Sequence, residues 1–464
     1  MKLFEKYHLL ILLFEVTVIS VMVSYICMNK ALDWDEAYTF QMITKNSIRG
    51  IIRETSMDVH PPLYYLLLWF FSKCFGTDFF VLKLFSVLFT ILTMFLGIIY
   101  VCKNWGWKSA FGFILVVGLG PRFLYFSVNI RMYSMELFFV TWCALLAYSI
   151  LKDGKKIDWV LFVISALGGV YTHYFAAVPL AFIYGYLLIG LLLQKKKISS
   201  FSWSCFATIL AYLPWISVVF TTFKREGVGR KIDGSKINFA ELCDWAFTTN
   251  IEWSNWMPLI LYLLAIFLLF AMWKDNDSQE RLFLLMCATI VIFTYVISRL
   301  IASMNQHFFD NRYIFGALAL FWLFLSIAYS KCGTNVFATY TVWLAIMVLS
   351  SFVIQKSKEL GTVDYMEATY QLLEPVRAEE TVIYDYDTYE VLYGAHMPEQ
   401  KFIYIDDVDF ENLDKDYIYM LGWSGKWFST ETVERYHIEC ETVGELRFEE
   451  GVAGVLLYKL SFDK

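Results

Sequence analysis

The sequence predicts a polytopic α-helical membrane protein with a small soluble α/β domain at its C-terminal end. Of its 464 residues, 58% are hydrophobic and only 18% are charged, and the mean hydropathy is +0.52. The 19% share of aromatic residues suits a chain that places rings at two membrane interfaces. This composition excludes a soluble enzyme, and a chain so apolar is not expected to bind nucleic acid.

Charge divides the chain into a predicted membrane module, residues 1–354, and a predicted soluble domain, residues 355–464. The second region carries 24 Asp and Glu against 10 Lys and Arg, whereas the first has a net positive charge. Strand-like runs and one helical stretch in the second region predict the α/β domain. The predicted strands are 381–384, 401–405, 417–421 and 454–460, and the predicted helix is 430–436. A surface exposed to water is enough to explain the acidic residues of this domain.

About eleven apolar runs are long enough to cross a bilayer, which takes about 20 helical residues. They are 9–28, 79–101, 109–126, 132–151, 157–172, 174–193, 201–222, 257–273, 282–300, 313–330 and 336–354. The first run is predicted to be a retained span, since no small-residue cleavage site follows it. The shorter run Leu63 to Phe71 follows a proline pair and predicts a helix lying at the interface, within a first external loop of residues 29–78.

The lysine-rich short loops predict the orientation of these spans. With the N-terminus in the cytoplasm, all of these loops fall inside, as the positive-inside rule requires. They hold Lys103, Lys108, Lys152, Lys155, Lys156, Lys195, Lys196, Lys197, Lys274, Arg281 and Lys331. We therefore expect a multi-pass cell-membrane protein whose unusual polar residues and C-terminal domain lie on the external face.

Carboxylates occur at both membrane boundaries of the first external loop. Asp33-Trp34-Asp35-Glu36 follows the first span, and Asp58 and His60 stand directly before Pro61-Pro62. Carboxylates at such a boundary are costly unless they are solvated or used. Two interpretations stay open for the first group: its acids cap a surface helix, or they perform chemistry.

Arg131 and Arg312, from distant spans, reach the same outer boundary, each close to a tyrosine, Tyr133 or Tyr313. Each arginine alone is explained as a snorkelling anchor. Together they would suit a shared phosphate, because guanidinium presents a planar fork of donors and stays charged. His173, at the outer end of another span, is either an interface residue or a ligand contact. The flexible, basic loop 223–256 suits a segment that closes over phosphate.

These motifs together resemble those of the GT-C glycosyltransferases, in particular family 39, the protein O-mannosyltransferases and aminoarabinose transferases. The likeness covers residues 1–354 and rests on Asp35-Glu36 after the first span, His60-Pro61-Pro62-Leu63 before the second, Arg131-x-Tyr133 and Arg312-Tyr313. It implies a GT-C fold and transfer of a sugar from a polyprenyl-phosphate-linked donor at the external membrane face. The family's first-loop aspartate, its catalytic base, matches Asp35, and Glu36 would tune or position it.

The resemblance and the residue chemistry together give a hypothesis for the reaction. Asp35 deprotonates an acceptor hydroxyl that attacks with inversion, while Arg131 and Arg312 hold the departing phosphate. The other predicted donor contacts are Asp58, His60, Tyr133, His173 and Tyr313. The aminoarabinose branch has lysine where this chain has His60. No second Asp-x-Asp motif follows the third span, and Asp310 and Glu136 alone do not form a metal site, so no metal or cofactor is expected.

Two other classes of protein remain as alternatives. A transporter or flippase of lipid-linked sugars also needs many helices and phosphate-binding arginines, but it predicts polar residues in the middle of spans. A receptor anchored by its helices leaves Asp35, His60 and Arg312 without a common purpose. The sequence names the bilayer and a lipid-linked sugar donor as partners; the acceptor, whether glycan, protein or lipid, stays open, as do the sugar and the oligomeric state.

Overall fold

The protein is described here by a computed structural model that covers most of the chain. The described residues are 2–30, 32–224, 242, 245–246, 277–304, 309–331, 372–377, 380–385, 400–413, 415–422, 427–446 and 455–463. The chain divides into two compact units, Met1–Lys30 with Asn46–Gln355, and Ala31–Lys45 with Lys356–Lys464. The second unit therefore takes in a short piece of the predicted first external loop in addition to the predicted soluble domain.

Helices make up the described part of the first unit. In chain order the described helices of both units are α1 (Lys2–Asn29), α2 (Trp34–Lys45), α3 (Ile48–Thr55), α4 (Leu63–Phe75), α5 (Phe79–Leu96), α6 (Cys102–Trp105), α7 (Trp107–Leu119), α8 (Pro121–Ser127), α9 (Tyr133–Lys152), α10 (Lys156–Thr172), α11 (Ala177–Leu193), α12 (Ser199–Lys224), α13 (Ser278–Met304), α14 (Phe315–Lys331) and α15 (Thr430–Arg435). A π-helical turn joins α5 to α6. Helices α2 and α15 belong to the second unit.

The protein is polytopic. Within the described residues, seven helical segments are long and apolar enough to cross a membrane, and a bent pair, α7 with α8, would add an eighth. Two of the predicted spans, 257–273 and 336–354, lie outside the described residues, as does nearly all of the predicted basic loop. The predicted span 109–126 corresponds to two helices, α7 and α8, which meet at an angle of 55°. The bend falls at Gly120-Pro121, where proline begins a new helix and cannot donate a backbone hydrogen bond to the preceding one.

The lysine-rich loops meet at one end of the helices. Lys152 donates to Asn104 over 2.9 Å, and Lys103 lies 3.8 Å from Asp153, so the loop after α6 meets the loop after α9. Lys196 donates to the carbonyl of Leu151, which brings in the loop after α11. The helical segment from α5 to α6, and helices α9, α11 and α12, start or end in these loops, so their other termini lie at the opposite end of the unit.

Helix α4 begins and ends at the same end of the unit. Near its start, Tyr64 hydrogen-bonds Ser86 of α5 over 2.8 Å, and only three residues separate its last turn from the first residue of α5. Its 13 residues span about 20 Å, less than the hydrocarbon thickness of about 30 Å. Tyr64, Tyr65 and Leu68 are buried on one side of α4, whereas Leu67 and Phe70 are exposed on the other. Helix α4 is thus apolar on both sides although it is too short to cross the hydrocarbon layer.

The described part of the second unit contains a five-stranded sheet. Its strands are β1 (Val382–Tyr384), β2 (Phe402–Tyr404), β3 (Tyr417–Gly422), β4 (Glu439–Leu446) and β5 (Val455–Ser461), in the spatial order β2-β1-β3-β5-β4. Strands β1, β2 and β3 are parallel, and β5 is antiparallel to its neighbours. Successive residues of β1 enter different cores, Val382 and Tyr384 on one face and Ile383 on the other. The sequence predicted four of these strands and missed β4.

Close contact between α9 and α10 depends on glycine. A Cβ atom added at Gly168 of α10 would lie 2.4 Å from the ring of Phe139 on α9. Membrane helices approach this closely where one of them carries a very small residue, because lipid supplies no hydrophobic force to drive them together. Gly185 of α11 offers a contrast, since no atom lies within 4 Å of the position that a Cβ would take there.

We expect Gly168→Ala to destabilise the protein, because the added methyl group forces the Phe139 ring or α10 to move. Overpacking of this kind costs about 1–3 kcal/mol. The apparent melting temperature of the purified protein in detergent measures the effect. Gly185→Ala, with open space around it, is the matched control and should not lower the melting temperature. Equal behaviour of the two variants would contradict the close contact.

Candidate functional site

Arg131 is held in the turn between α8 and α9, at the end of the unit opposite the lysine-rich loops. Its side chain is buried, with 3% exposed, and one terminal nitrogen donates to the Tyr65 hydroxyl over 3.4 Å. The other terminal nitrogen lies 3.5 Å from Nε2 of His60. Its backbone is fixed as well, because the Ser86 hydroxyl donates to the Arg131 carbonyl over 3.2 Å. The guanidinium is thus positioned by α4 and the segment before it, and the backbone of Arg131 by α5.

His60 links Arg131 to Asp58. Nδ1 of His60 lies 3.5 Å from an oxygen of Asp58, while Nε2 faces the guanidinium. A guanidinium can only donate, so Nε2 serves as the acceptor in this contact and Nδ1 carries the proton that faces the carboxylate. Burial opposes ionisation of Asp58, but His60 and the nearby Arg131 outweigh it, so the pKa of Asp58 is lowered. Asp58 is therefore ionised and orients the His60 ring.

His173 occupies the break between α10 and α11, with an exposed fraction of 2%. Its ring centroid lies 5.6 Å from that of His60, 6.0 Å from that of Tyr133 and 5.1 Å from that of Tyr313. Burial lowers the pKa of His173 well below its usual range, and His60, Arg312 and Arg131 lower it further. The imidazole is therefore neutral and lies at the centre of the predicted donor-binding residues.

Arg312 and Tyr313 begin the short 3-10 turn that leads into α14. Asp310 caps this turn by accepting from the Arg312 amide over 2.9 Å, and its other oxygen lies 3.4 Å from Nε of Arg312. The guanidinium carbon lies 5.9 Å from the Tyr313 ring, which in turn stacks on Phe175 at 5.0 Å. Arg312 is partly exposed, unlike Arg131, so its charge borders the cluster at the water side.

The structure thus brings together Asp58, His60, Arg131, Tyr133, His173, Arg312 and Tyr313, which we name the polar cluster. They come from four separate places in the chain and meet at one end of the first unit. All but Asp58 and Arg312 are buried.

Asp35 and Glu36 lie in the second unit, at the start of α2. The Glu36 amide donates to Asp33 over 2.9 Å, and the Asp33 amide donates to Glu36 over 3.1 Å. This reciprocal pair is a capping box with aspartate as the N-cap residue. Glu36 is fully buried, whereas Asp35 is only partly buried and takes no part in the cap. The capping interpretation therefore describes Asp33 and Glu36.

Two buried cations near the cluster were missed by the sequence reasoning, and one buried acid was considered there only as a metal ligand. Lys83 of α5 is 2% exposed and donates to the carbonyl of Lys30 at the end of α1. Arg299 of α13 is 5% exposed and lies over the rings of Tyr295 and Phe309. Glu136 of α9 is fully buried, 3.8 Å from His173. Each was a lone ionisable residue inside an apolar run, and that is the signal by which it could have been found.

We expect acid to destabilise the protein through His173. This imidazole takes up its proton near pH 6.5 in the unfolded chain, but only at a much lower pH in the folded protein. Between these two values the imidazole holds its extra proton only in the unfolded state, so the contribution of His173 to the free energy of unfolding decreases as the pH falls below 6.5, by about 1.4 kcal/mol per pH unit. His173→Asn should remove this part of the pH dependence of the melting temperature.

The control for this measurement is His437→Asn. His437 is exposed and has a positive φ of 45°, a conformation that asparagine tolerates well. This variant should keep the wild-type slope of melting temperature against pH. A wild-type slope in His173→Asn would show that another group is responsible.

Comparison with known proteins identifies the fold. No protein-family model matches the chain, and no curated protein is detectably similar to it. The crystal structure of ArnT from Cupriavidus metallidurans in the apo state aligns with a TM-score of 0.59 and 10% identity, covering 96% of this chain and 97% of that one. The same protein bound to undecaprenyl phosphate aligns over the same shares, with a TM-score of 0.57 and 10% identity. Both alignments show that this chain has the fold of ArnT, the GT-C fold that the resemblance in the sequence implied.

Proposed function

We propose that the protein is a membrane glycosyltransferase that moves a sugar from a polyprenyl-phosphate-linked donor to an acceptor hydroxyl. The observation that carries this proposal is the polar cluster, in which arginine, histidine and tyrosine side chains from distant helices converge at one end of a GT-C fold. The structural neighbour ArnT was crystallised with undecaprenyl phosphate, which is the kind of leaving group that the cluster would hold.

The cluster has the electrostatic properties that release of a lipid phosphate needs. A departing polyprenyl phosphate is already a stable anion, so the transition state needs positive charge near the phosphate more than it needs a proton donor. Arg131 provides a buried guanidinium whose orientation is fixed by Tyr65 and His60, so little reorganisation is needed when charge develops. Arg312 provides a second guanidinium at the water side of the cluster.

In this proposal Asp35 is the general base that removes the proton from the acceptor hydroxyl as it attacks the anomeric carbon, with inversion. Glu36 acts on Asp35 indirectly, through the capping box that holds the first turn of α2. The reaction needs no metal ion, because Asp310 is engaged with Arg312 and Glu136 lies against His173. The active site lies at the external membrane face, because the lysine-rich loops are at the other end of the helices.

A transporter of lipid-linked sugars is the second candidate, and one observation favours it. Glu15 is buried within the first span, in α1, and none of its oxygens has a hydrogen-bond partner among the described residues. An acid at such a position is typical of a proton or substrate pathway. The donor lipid distinguishes the two functions, because a transferase consumes it and a transporter only moves it.

We expect Asp35→Asn to reduce sugar transfer about 10²- to 10⁴-fold, because the amide cannot accept the hydroxyl proton. Mass spectrometry of lipids from cells that express wild type or the variant at equal levels should show one polyprenyl-phosphate sugar that accumulates with the variant. Asp78→Asn is the matched control. Asp78 caps α5 by accepting from the Phe80 amide, a role that asparagine can fill, so this variant should behave as wild type. If no such lipid changes although both proteins reach the membrane, the transporter becomes the better hypothesis.

We expect Arg131→Ala to weaken binding of undecaprenyl phosphate about 10- to 100-fold, because charged hydrogen bonds of this kind contribute about 1.5–3 kcal/mol. Binding to the purified protein in detergent, measured by calorimetry, checks this value. Arg131→Lys keeps the charge but loses the planar fork of donors. Its affinity for undecaprenyl phosphate should lie between those of wild type and Arg131→Ala. Arg53→Ala removes an exposed arginine that pairs with Glu54 and serves as the control, with unchanged affinity. If Arg131→Ala bound with the affinity of wild type, Arg131 would not be part of the phosphate site.

A further inference from the structure

Glu136 lies against His173, a member of the polar cluster, and the two residues form a buried pair. Glu136 is fully buried in the first turn of α9, and one of its oxygens lies 3.8 Å from Nδ1 of His173. Neither carboxyl oxygen, nor Nδ1, has a hydrogen-bond partner among the described residues. The carboxyl group is confined on its other side by Gly316 of α14, where an added Cβ would lie 2.7 Å from the same oxygen. Glu136 and His173 therefore face each other as a pair of buried ionisable groups.

The burial of this pair restricts its protonation states. A carboxylate with no positive partner costs several kcal/mol in an apolar setting, and so does an isolated imidazolium. Two states avoid this cost: a neutral acid beside a neutral imidazole, or a carboxylate beside an imidazolium. Both carry zero net charge and hold one shared proton, so the pair changes from one to the other without exchanging protons with water.

The charges around His173 decide which of the two states is favoured. The titratable and charged groups that face the ring, or that lie behind those facing it, are His60 and Asp58 before α4, Arg131 and Tyr133 at the start of α9, Arg312, Asp310 and Tyr313 before α14, Arg299 on α13 and Lys83 on α5. Cations outnumber anions among them, so in the empty cluster the proton is repelled from His173. A bound phosphate offsets this excess of positive charge next to the ring.

We propose that Glu136 is a positioning residue that gives its proton to His173 when a lipid phosphate enters the polar cluster. The proton leaves the Glu136 carboxyl and binds Nδ1 of His173; no other bond changes, and the pair stays neutral overall. The imidazolium then faces the phosphate beside Arg131 and Arg312, with the carboxylate behind it. This inference rests on the proposed function, because it takes the entering anion to be a polyprenyl phosphate.

The first test compares the pH dependence of binding in wild type and Glu136→Gln, with undecaprenyl phosphate as the probe. In wild type the proton comes from within the protein, whereas in Glu136→Gln it must come from water. Between pH 7.5 and 6.0 the affinity of Glu136→Gln should rise more steeply on acidification than that of wild type, by up to about tenfold per pH unit. The titration of the phosphate itself is common to both proteins and cancels. The double variant with His173→Asn should lose the extra dependence.

A second measurement follows the carboxylic acid directly. Infrared difference spectra recorded on adding undecaprenyl phosphate should show loss of the C=O band of a protonated carboxylic acid. Glu15→Gln, which removes another buried carboxyl, is the matched control and should keep this loss. The loss should be absent in Glu136→Gln and reduced in Gly316→Ala, where the carboxyl must shift.

The outcomes separate this inference from the proposed function. If wild type does not bind undecaprenyl phosphate, the proposed function is wrong and this inference falls with it. If wild type binds but Glu136→Gln shows the same pH dependence, and the infrared band does not change, the proposed function stands and Glu136 has only a packing role. A uniform loss of affinity at every pH would lead to that same conclusion.

Discussion

The candidate site depends on one constraint, the burial of the Arg131 guanidinium at the end of apolar helices. A permanent charge in that position is stable only if neighbouring groups accept its hydrogen bonds and a negative charge lies nearby. Tyr65, His60 and, behind it, Asp58 meet this need from the loop before α4 and from α4 itself. The Ser86 hydroxyl fixes the backbone of the same residue. This arrangement also holds the His60 ring in place, and that ring faces His173 in the remaining part of the cluster.

Much of the architecture could be predicted from the sequence, since the apolar runs exceed the bilayer thickness and the lysines occur in alternate loops. Four strands of the C-terminal domain were visible as short β-branched or aromatic runs. Strand β4 was missed because Glu439, Glu441 and Glu445 make it look like an acidic loop, although it is an edge strand where charge is tolerated. The bend at Gly120-Pro121 was missed because apolar residues continue through it, and hydropathy does not report the direction of a helix.

The candidate site was partly predictable, for a different reason. Histidine and arginine at span boundaries are conspicuous in a sequence that has only six histidines, so the members of the polar cluster could be named before any geometry was known. Their mutual contacts could not be, because they depend on how α4, α9, α10 and α14 pack. Glu136, Lys83 and Arg299 lie inside apolar runs, where each could equally have faced lipid, a neighbouring helix or water. Their burial became apparent only when the helices were assembled.

Because Gly316 contacts the Glu136 carboxyl, substitutions at either of these positions depend on the residue at the other. With glutamate at 136, even an alanine at 316 would press on the carboxyl oxygen and make the carboxyl shift, so a larger side chain at 316 fits better with a shorter residue at 136. Loss of the acid would remove this restriction and leave α14 free to accumulate larger residues there. Return to glutamate would then require two changes together, so an ancestor that lost the acid could not easily regain it.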